Sequence, residues 1–223
     1  MKIVNVKQGT PEWFTARAGI PTASAFDKII TPKTGKPSSQ QFGYICELIA
    51  DRIMGGPPEG IESWTSRAVQ YGIDTEPEAR AYYELHTDYK VQQVGFVTTD
   101  DGTAGCSPDG LVGDDGGLEL KCPMAKTHVE YLLKGELPDA YKCQVHASLL
   151  ITGRKWWDFC SYCIGFPPFI IRVKPDDFTV AMGDCLADFS AFLDEKWAAV
   201  QALMPKLPEP TEADHEAAAL DLF

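Results

Sequence analysis

The stretch that most constrains the fold is Ser107-Pro108-Asp109-Gly110-Leu111, followed closely by Gly117-Leu118-Glu119-Leu120-Lys121. Between them, Asp114-Asp115-Gly116-Gly117 reads as a tight turn, so Leu111–Gly113 and Leu118–Cys122 are predicted as the two arms of a hairpin. Side chains two apart on a strand share a face. Glu119 and Lys121 therefore project together, and Leu120 points the other way into apolar packing. The turn brings Asp109, at the start of the first arm, beside that face. Two carboxylates and an ammonium are thus predicted to converge at one strand end.

Such a set suits phosphodiester hydrolysis. Magnesium prefers hard oxygen ligands, usually one or two carboxylates with waters and phosphate oxygens. The metal polarises the phosphate and helps generate hydroxide. A neighbouring lysine orients the water and offsets charge that grows in the transition state. The Leu120 backbone carbonyl is a further candidate oxygen ligand. A bare Glu-x-Lys is common and reads most simply as a surface ion pair worth little energetically. Pro-Asp-Gly, a turn and then Glu-Leu-Lys is a more specific pattern.

The rest of the chain supplies a frame for this hairpin. Short helical stretches are predicted at 11–18, with Trp13 and Phe14 as apolar anchors, and after Thr22-Ala23, with Ser24 as N-cap. Longer helices are predicted at 39–54, 63–86, 125–134, 139–152 and 175–203, and further strands at 91–98, 102–106, 155–164 and 169–174. In the first long helix Phe42, Ile45, Ile49 and Ile53 recur at helical spacing. In the last, Phe178, Met182, Leu186, Phe189 and Leu193 do so. This order predicts a single α/β domain over residues 1–204, with a central mixed sheet and helices on both faces. Residues 205–223 read as an acidic, disordered tail.

The net charge of −12 argues against a nucleic-acid partner until its distribution is considered. Residues 1–36 carry +4, residues 37–174 carry −7 and residues 175–223 carry −9. Binding follows the local field, so a basic N-terminal surface can still hold phosphate. No apolar run approaches the roughly 18 residues of a membrane span, and the first seven residues lack a signal-peptide core. The chain reads as cytoplasmic, without a membrane partner. Its seven cysteines are odd in number and irregular in spacing, which disfavours a disulfide framework. Cys160-Ser161-Tyr162-Cys163 lies in a strand-like aromatic run, so these two cysteines read as small buried residues rather than a redox pair.

The Asp…Glu-x-Lys arrangement resembles the PD-(D/E)xK nuclease core, which is restriction-endonuclease-like. The hairpin segments through Cys122-Pro123 more closely resemble the family of phage lambda exonuclease and the YqaJ-type viral recombinases. Glu12 to Ser24 matches that family's W-x₃-R-x-G-x₂-T-A-S element. Gly72 with Thr75 to Arg80 matches its G-x₃-E-x₂-A-R helix, and Tyr141 to Gln144 its Y-x₂-Q helix. Four motifs in family order span residues 12–145.

The resemblance implies roles residue by residue. Asp109 and Glu119 would bind Mg²⁺, which Mn²⁺ may replace, assisted by the Leu120 carbonyl. Lys121 would position the attacking water, and Glu76 would join the acidic cluster. Arg17, Ser24, Ser107 and Gln144 would hold a terminal 5′-phosphate. An arginine with two hydroxyl side chains suits a phosphate dianion on chemical grounds as well. The resemblance further implies 5′–3′ degradation of one strand of linear duplex DNA to mononucleotides. It implies a homotrimeric ring, and a single-strand annealing protein as partner in phage or prophage recombination within a bacterial host. Each residue also has a plainer reading. Ser24 caps a helix, Arg17 makes a surface ion pair, Glu76 faces solvent, Gln144 is half-buried scaffolding, and His146 is a satisfied polar residue near the same helix. A sequence-specific endonuclease on the same core and a non-catalytic DNA-binding scaffold are the competing functions. The terminus Ala217 to Phe223 is acidic and apolar, a composition that can dock into a partner groove, although a solvated end is the simpler reading.

Overall fold

The structure, a computed structural model, describes residues 1–56 and 67–204. The first four residues of the helix expected at 63–86, and the whole tail beyond Met204, lie outside the described residues. Among the described residues, eight strands and six α-helices run in the order β1 (Lys2–Val4), α1 (Pro11–Arg17), α2 (Gln41–Met54), α3 (Arg67–Thr87), β2 (Val91–Gln92), β3 (Phe96–Thr98), β4 (Gly105–Cys106), β5 (Gly110–Val112), β6 (Gly116–Lys121), α4 (Ala125–Lys134), α5 (Asp139–Thr152), β7 (Trp156–Ser161), β8 (Phe169–Val173) and α6 (Asp177–Leu203). A 3₁₀-helix, Ala23–Lys28, lies between α1 and α2.

Five strands form the central sheet in the order β2-β5-β6-β7-β8. Only β6 and β7 run parallel, because α4 and α5 carry the chain across between them; the other neighbours are antiparallel. The sheet is therefore mixed, as the strand–turn–strand pattern anticipates. Both faces are covered. Leu118 and Leu120 pack with Ala79 and Tyr83 of α3 on one side. Trp157 and Phe159 pack with Val145 and Leu149 of α5 on the other. A small antiparallel sheet, β1-β3-β4, and the 3₁₀-helix, α2 and α6 complete the core around Phe26, Ile45 and Phe189.

The hairpin turn sits at residues 113–115, and Gly116 and Gly117 belong to β6 rather than to the turn. The parallel register explains this. Gly116 faces Trp156 and Gly117 faces Trp157 across the ladder. A Cβ on either glycine would lie within 2.1–2.2 Å of an indole atom. The glycines are thus the space into which two tryptophans pack, in addition to their turn propensity.

The strand expected over 91–98 is two strands in different sheets. Gly95 marks the break: a Cβ there would fall 1.7 Å from the Val6 carbonyl oxygen, so the chain passes edge-on against the β1–α1 segment. In α1, Trp13 is half-buried and Phe14 is 43% exposed, so only the first acts as an anchor. In α2, Ile45 and Ile49 are buried with Tyr44 and Leu48, whereas Phe42 and Ile53 are exposed. Ser24 is inside the 3₁₀-helix, whose N-cap is Thr22. In α6, Met182, Leu186, Phe189 and Leu193 are buried as the spacing requires, and Asp176 with Thr179 forms a capping box.

Cys160 and Cys163 are buried, and burial pushes the Cys160 thiol up to about 12, so it stays protonated and unreactive. His146 is buried against the Thr179 hydroxyl at 2.8 Å, as a satisfied polar residue. Among the described residues, no helix is long and apolar enough to cross a membrane.

One buried polar cluster is not evident from the sequence. Asp158 on β7 is 1% exposed, accepts from Arg172 at 2.8 Å, and takes the Tyr83 hydroxyl at 2.7 Å. It ties α3 to the middle of the sheet.

The glycine–tryptophan packing yields a stability prediction. Gly117→Ala forces a methyl group into the Trp157 ring and should cost about 1–3 kcal/mol. Denaturant unfolding checks this, and a midpoint equal to the parent protein would contradict the packing.

Candidate active site

The central sheet sets the geometry. Pairing between β5 and β6 ends at Gly110 opposite Leu118. The Leu120 N–H on that edge is therefore left without a strand partner, and Asp109 Oδ2 accepts it at 2.6 Å. The Leu120 carbonyl leaves the strand on the same edge, since a strand residue's N–H and C=O point to one side. The segment before Asp109 is pinned in turn: Gln8 Nε2 donates to the carbonyls of Pro108 at 2.9 Å and Val94 at 3.0 Å.

Glu119 is 2% exposed on the face of β6 toward α5. Its Oε1 accepts from Lys121 Nζ at 2.6 Å and from Gln144 Nε2 at 2.6 Å. Tyr141, one helical turn before Gln144, lies under Lys121 with the ammonium 5.1 Å from its ring centroid. Burial works against the charged form of Lys121, but the carboxylates of Glu119 and Asp109 outweigh it and hold the pKa above its ordinary value. Asp109 moves the opposite way for a carboxylate. Burial, then the negative charges of Glu119 and Glu76, raise its pKa well above the usual range, with only partial relief from Lys121.

Glu76 projects from α3 beside this centre and is ion-paired through Oε1 to Arg80 Nη2, one turn on. Both line a groove of about 810 Å³ that also meets Asp109, Lys7, Gln8 and Trp13. Arg17 and Ser107 meet as well: Arg17 Nη1 is 3.3 Å from Ser107 Oγ, and Nη2 is 3.4 Å from Thr22 Oγ1. The guanidinium lies 4.0 Å from the Trp13 ring centroid, and the Trp13 indole N–H donates to Ser107 Oγ at 2.9 Å. Burial lowers the Arg17 pKa. A half-buried cation bonded to hydroxyls is well suited to receive an anion.

Of the sequence-predicted residues, the structure therefore joins Asp109, Glu119 and Lys121, and separately joins Arg17 and Ser107. Gln144 bonds to Glu119. Ser24 is exposed on the 3₁₀-helix, two residues beyond Thr22. Thr22, Trp13, Tyr141 and Arg80 are the contacts that sequence reasoning overlooked. Trp13 carried a usable signal, because its four-residue spacing from Arg17 places both on one helix face.

The donor set fits a hard divalent cation. Asp109 and Glu119 offer carboxylate oxygens, the Leu120 carbonyl lies on the same edge, and burial together with the neighbouring carboxylates holds Asp109 well above the usual range, a penalty that a cation would offset. Among the described residues, no three Asp, Glu, His or Cys side chains converge closely enough to hold a metal. Glu76 stays with Arg80.

Residues 12–155 match the model of the YqaJ-like viral recombinase domain. The chain belongs to that family. Its fold is similar to an alkaline exonuclease, LHK-Exo, from Laribacter hongkongensis, at 35% identity and a TM-score of 0.75, over 86% of this chain and 97% of that one. A second structure of that exonuclease, in complex with dAMP, matches with the same figures. A phage-related exonuclease from Haemophilus somnus 129PT shares the fold at 11% identity and a TM-score of 0.59, over 81% of this chain and 96% of that one. A sequence comparison with curated proteins finds no match.

The electrostatics of the site predict a pH effect. In the metal-free protein the folded-state pKa of Asp109 lies above its unfolded value. The folded state then binds more protons between those values, so stability falls as pH rises through that window. Asp109→Asn should therefore raise the metal-free stability at neutral pH. Thermal unfolding in EDTA checks this. A loss of stability would mean that the Leu120 hydrogen bond outweighs the charge penalty.

Proposed function

We propose that this chain is a magnesium-dependent exonuclease that degrades one strand of linear duplex DNA from its 5′ end to mononucleotides, with Mn²⁺ able to replace Mg²⁺. The coarser reading, a nuclease acting on DNA, rests on the family membership and on the 35% identity to the Laribacter alkaline exonuclease. The observation that carries the finer reading is the convergence of Asp109, Glu119 and Lys121 at one sheet edge.

A divalent cation bound there supplies Lewis-acid polarisation of the phosphate and a water acidic enough to attack it. Asp109, Glu119 and the Leu120 carbonyl would hold that cation, with Glu76 as an outer acid. Gln144 and Tyr141 fix the directions of Glu119 and Lys121. Lys121 orients the attacking water by hydrogen bonding, and its ammonium offsets charge developing on the phosphate. Arg17 and Ser107, with Ser24 nearby, bind the terminal 5′-phosphate. Ser107 is two residues from Asp109, so the segment that senses the end also sets the position of the metal ligand. That coupling favours an end-dependent enzyme over an endonuclease on the same core.

The wider setting proposed with it is a homotrimeric ring around DNA, a single-strand annealing protein as partner, and action in the cytoplasm of a bacterial host during phage-type recombination; the family membership supports the recombination setting.

Purified protein with Mg²⁺ should release mononucleotides from 5′-phosphorylated linear duplex and leave closed circular DNA intact. Glu119→Ala and Lys121→Ala should each lower the rate by about 10²-fold or more. Cleavage of the closed circle, or near-parental activity in either variant, would refute the reading.

A further inference from the structure

Among the described residues, two of the three acidic side chains at the site are ion-paired. Lys121 neutralises Glu119, and Arg80 neutralises Glu76. Asp109 has the Leu120 N–H. Arg80 is not a loose surface residue: its side chain is 15% exposed. With the Gln93 amide in its better-satisfied orientation, the Gln93 oxygen accepts from Nη1 at 3.0 Å and from Nη2 at 3.1 Å. Gln93, Arg80, Glu76 and Asp109 all line the same groove.

We infer that Arg80 is a positioning residue that exchanges partners as the site loads. Without metal, its ion pair occupies the Glu76 carboxylate, and among the described residues no three ligating side chains converge. A divalent cation at Asp109 competes for the Glu76 carboxylate. A guanidinium that loses its carboxylate in a half-buried groove must find another anion or remain uncompensated at considerable cost. The anion that enters this groove is a phosphodiester of the DNA strand, and Gln93 keeps the guanidinium facing it. Arg80 thus restrains metal binding in the free protein and strengthens DNA binding in the loaded one.

This inference rests on the metal-dependent nuclease reading, and its test uses the full-length chain. Arg80→Gln removes the charge and keeps amide donors. Calorimetric titration with Mn²⁺ in the absence of DNA should show affinity about two- to fivefold tighter than the parent. Binding of 5′-phosphorylated duplex in Ca²⁺, without turnover, should weaken, and its salt dependence should lose about one phosphate contact. Arg80→Lys should bind Mn²⁺ like the parent, since an ammonium still neutralises Glu76. In a Glu76→Gln background, Arg80→Gln should leave Mn²⁺ affinity unchanged. A merely structural role would weaken both metal and DNA binding. Mn²⁺ affinity that is unchanged or weaker in Arg80→Gln, or an unchanged salt slope, overturns the inference while leaving the nuclease reading in place. Absence of any Mn²⁺ binding by the parent protein overturns both.

Discussion

The site depends on one unpaired peptide group. Strand β5 stops pairing at Gly110, so the Leu120 N–H on the β6 edge must be satisfied by something other than a strand. Asp109 supplies that partner. The same hydrogen bond that completes the sheet edge therefore delivers a carboxylate to within reach of Glu119 and Lys121. Had β5 continued to Pro108, the Leu120 N–H would bond to the Pro108 carbonyl, and the Asp109 side chain would no longer be needed there. The chemistry at this site thus begins where the ladder ends.

Holding buried carboxylates together is costly in a low-dielectric setting, and the surrounding residues can be read as the compensation. Lys121 and Gln144 share one oxygen of Glu119. Tyr141 adds an aromatic face beneath the ammonium. Asp158, Arg172 and Tyr83 anchor α3 to the sheet, and α3 is the element that carries Glu76 and Arg80. The compensation is incomplete at Asp109, and an added cation would remove the remaining imbalance. Metal affinity in this view follows from residual charge that the fold leaves unpaired.

Much of this was legible in the sequence because the governing patterns are local. The two-residue spacing of Glu119 and Lys121 places them on one face of a strand whatever surrounds them. The spans 125–134 and 139–152 match α4 and α5 because helical periodicity and flanking glycines bound them. What escaped was non-local. Gly116 and Gly117 look like turn residues until the parallel partner β7 brings Trp156 and Trp157 over them. Residues 91–98 look like one strand until Gly95 meets Val6. Phe42 and Ile53 fit a helical stripe, but the neighbours that α6 offers α2 bury Tyr44 and Leu48 instead. The Gln144–Glu119 hydrogen bond is also non-local, because it depends on how α5 crosses β6. The proposed phosphate pocket was legible only as residue types; the link from Trp13 through Ser107 to Arg17 required the β1–α1 segment to be folded against β3.

The central claim is that Asp109, Glu119 and the Leu120 carbonyl form a metal site completed by the end of a β-ladder. Anomalous diffraction from crystals soaked in Mn²⁺ tests it most directly. The account predicts a peak bounded by the two carboxylates and the Leu120 carbonyl oxygen. An ion bound elsewhere, with Asp109 still accepting from the Leu120 N–H and no density at the strand edge, would contradict it.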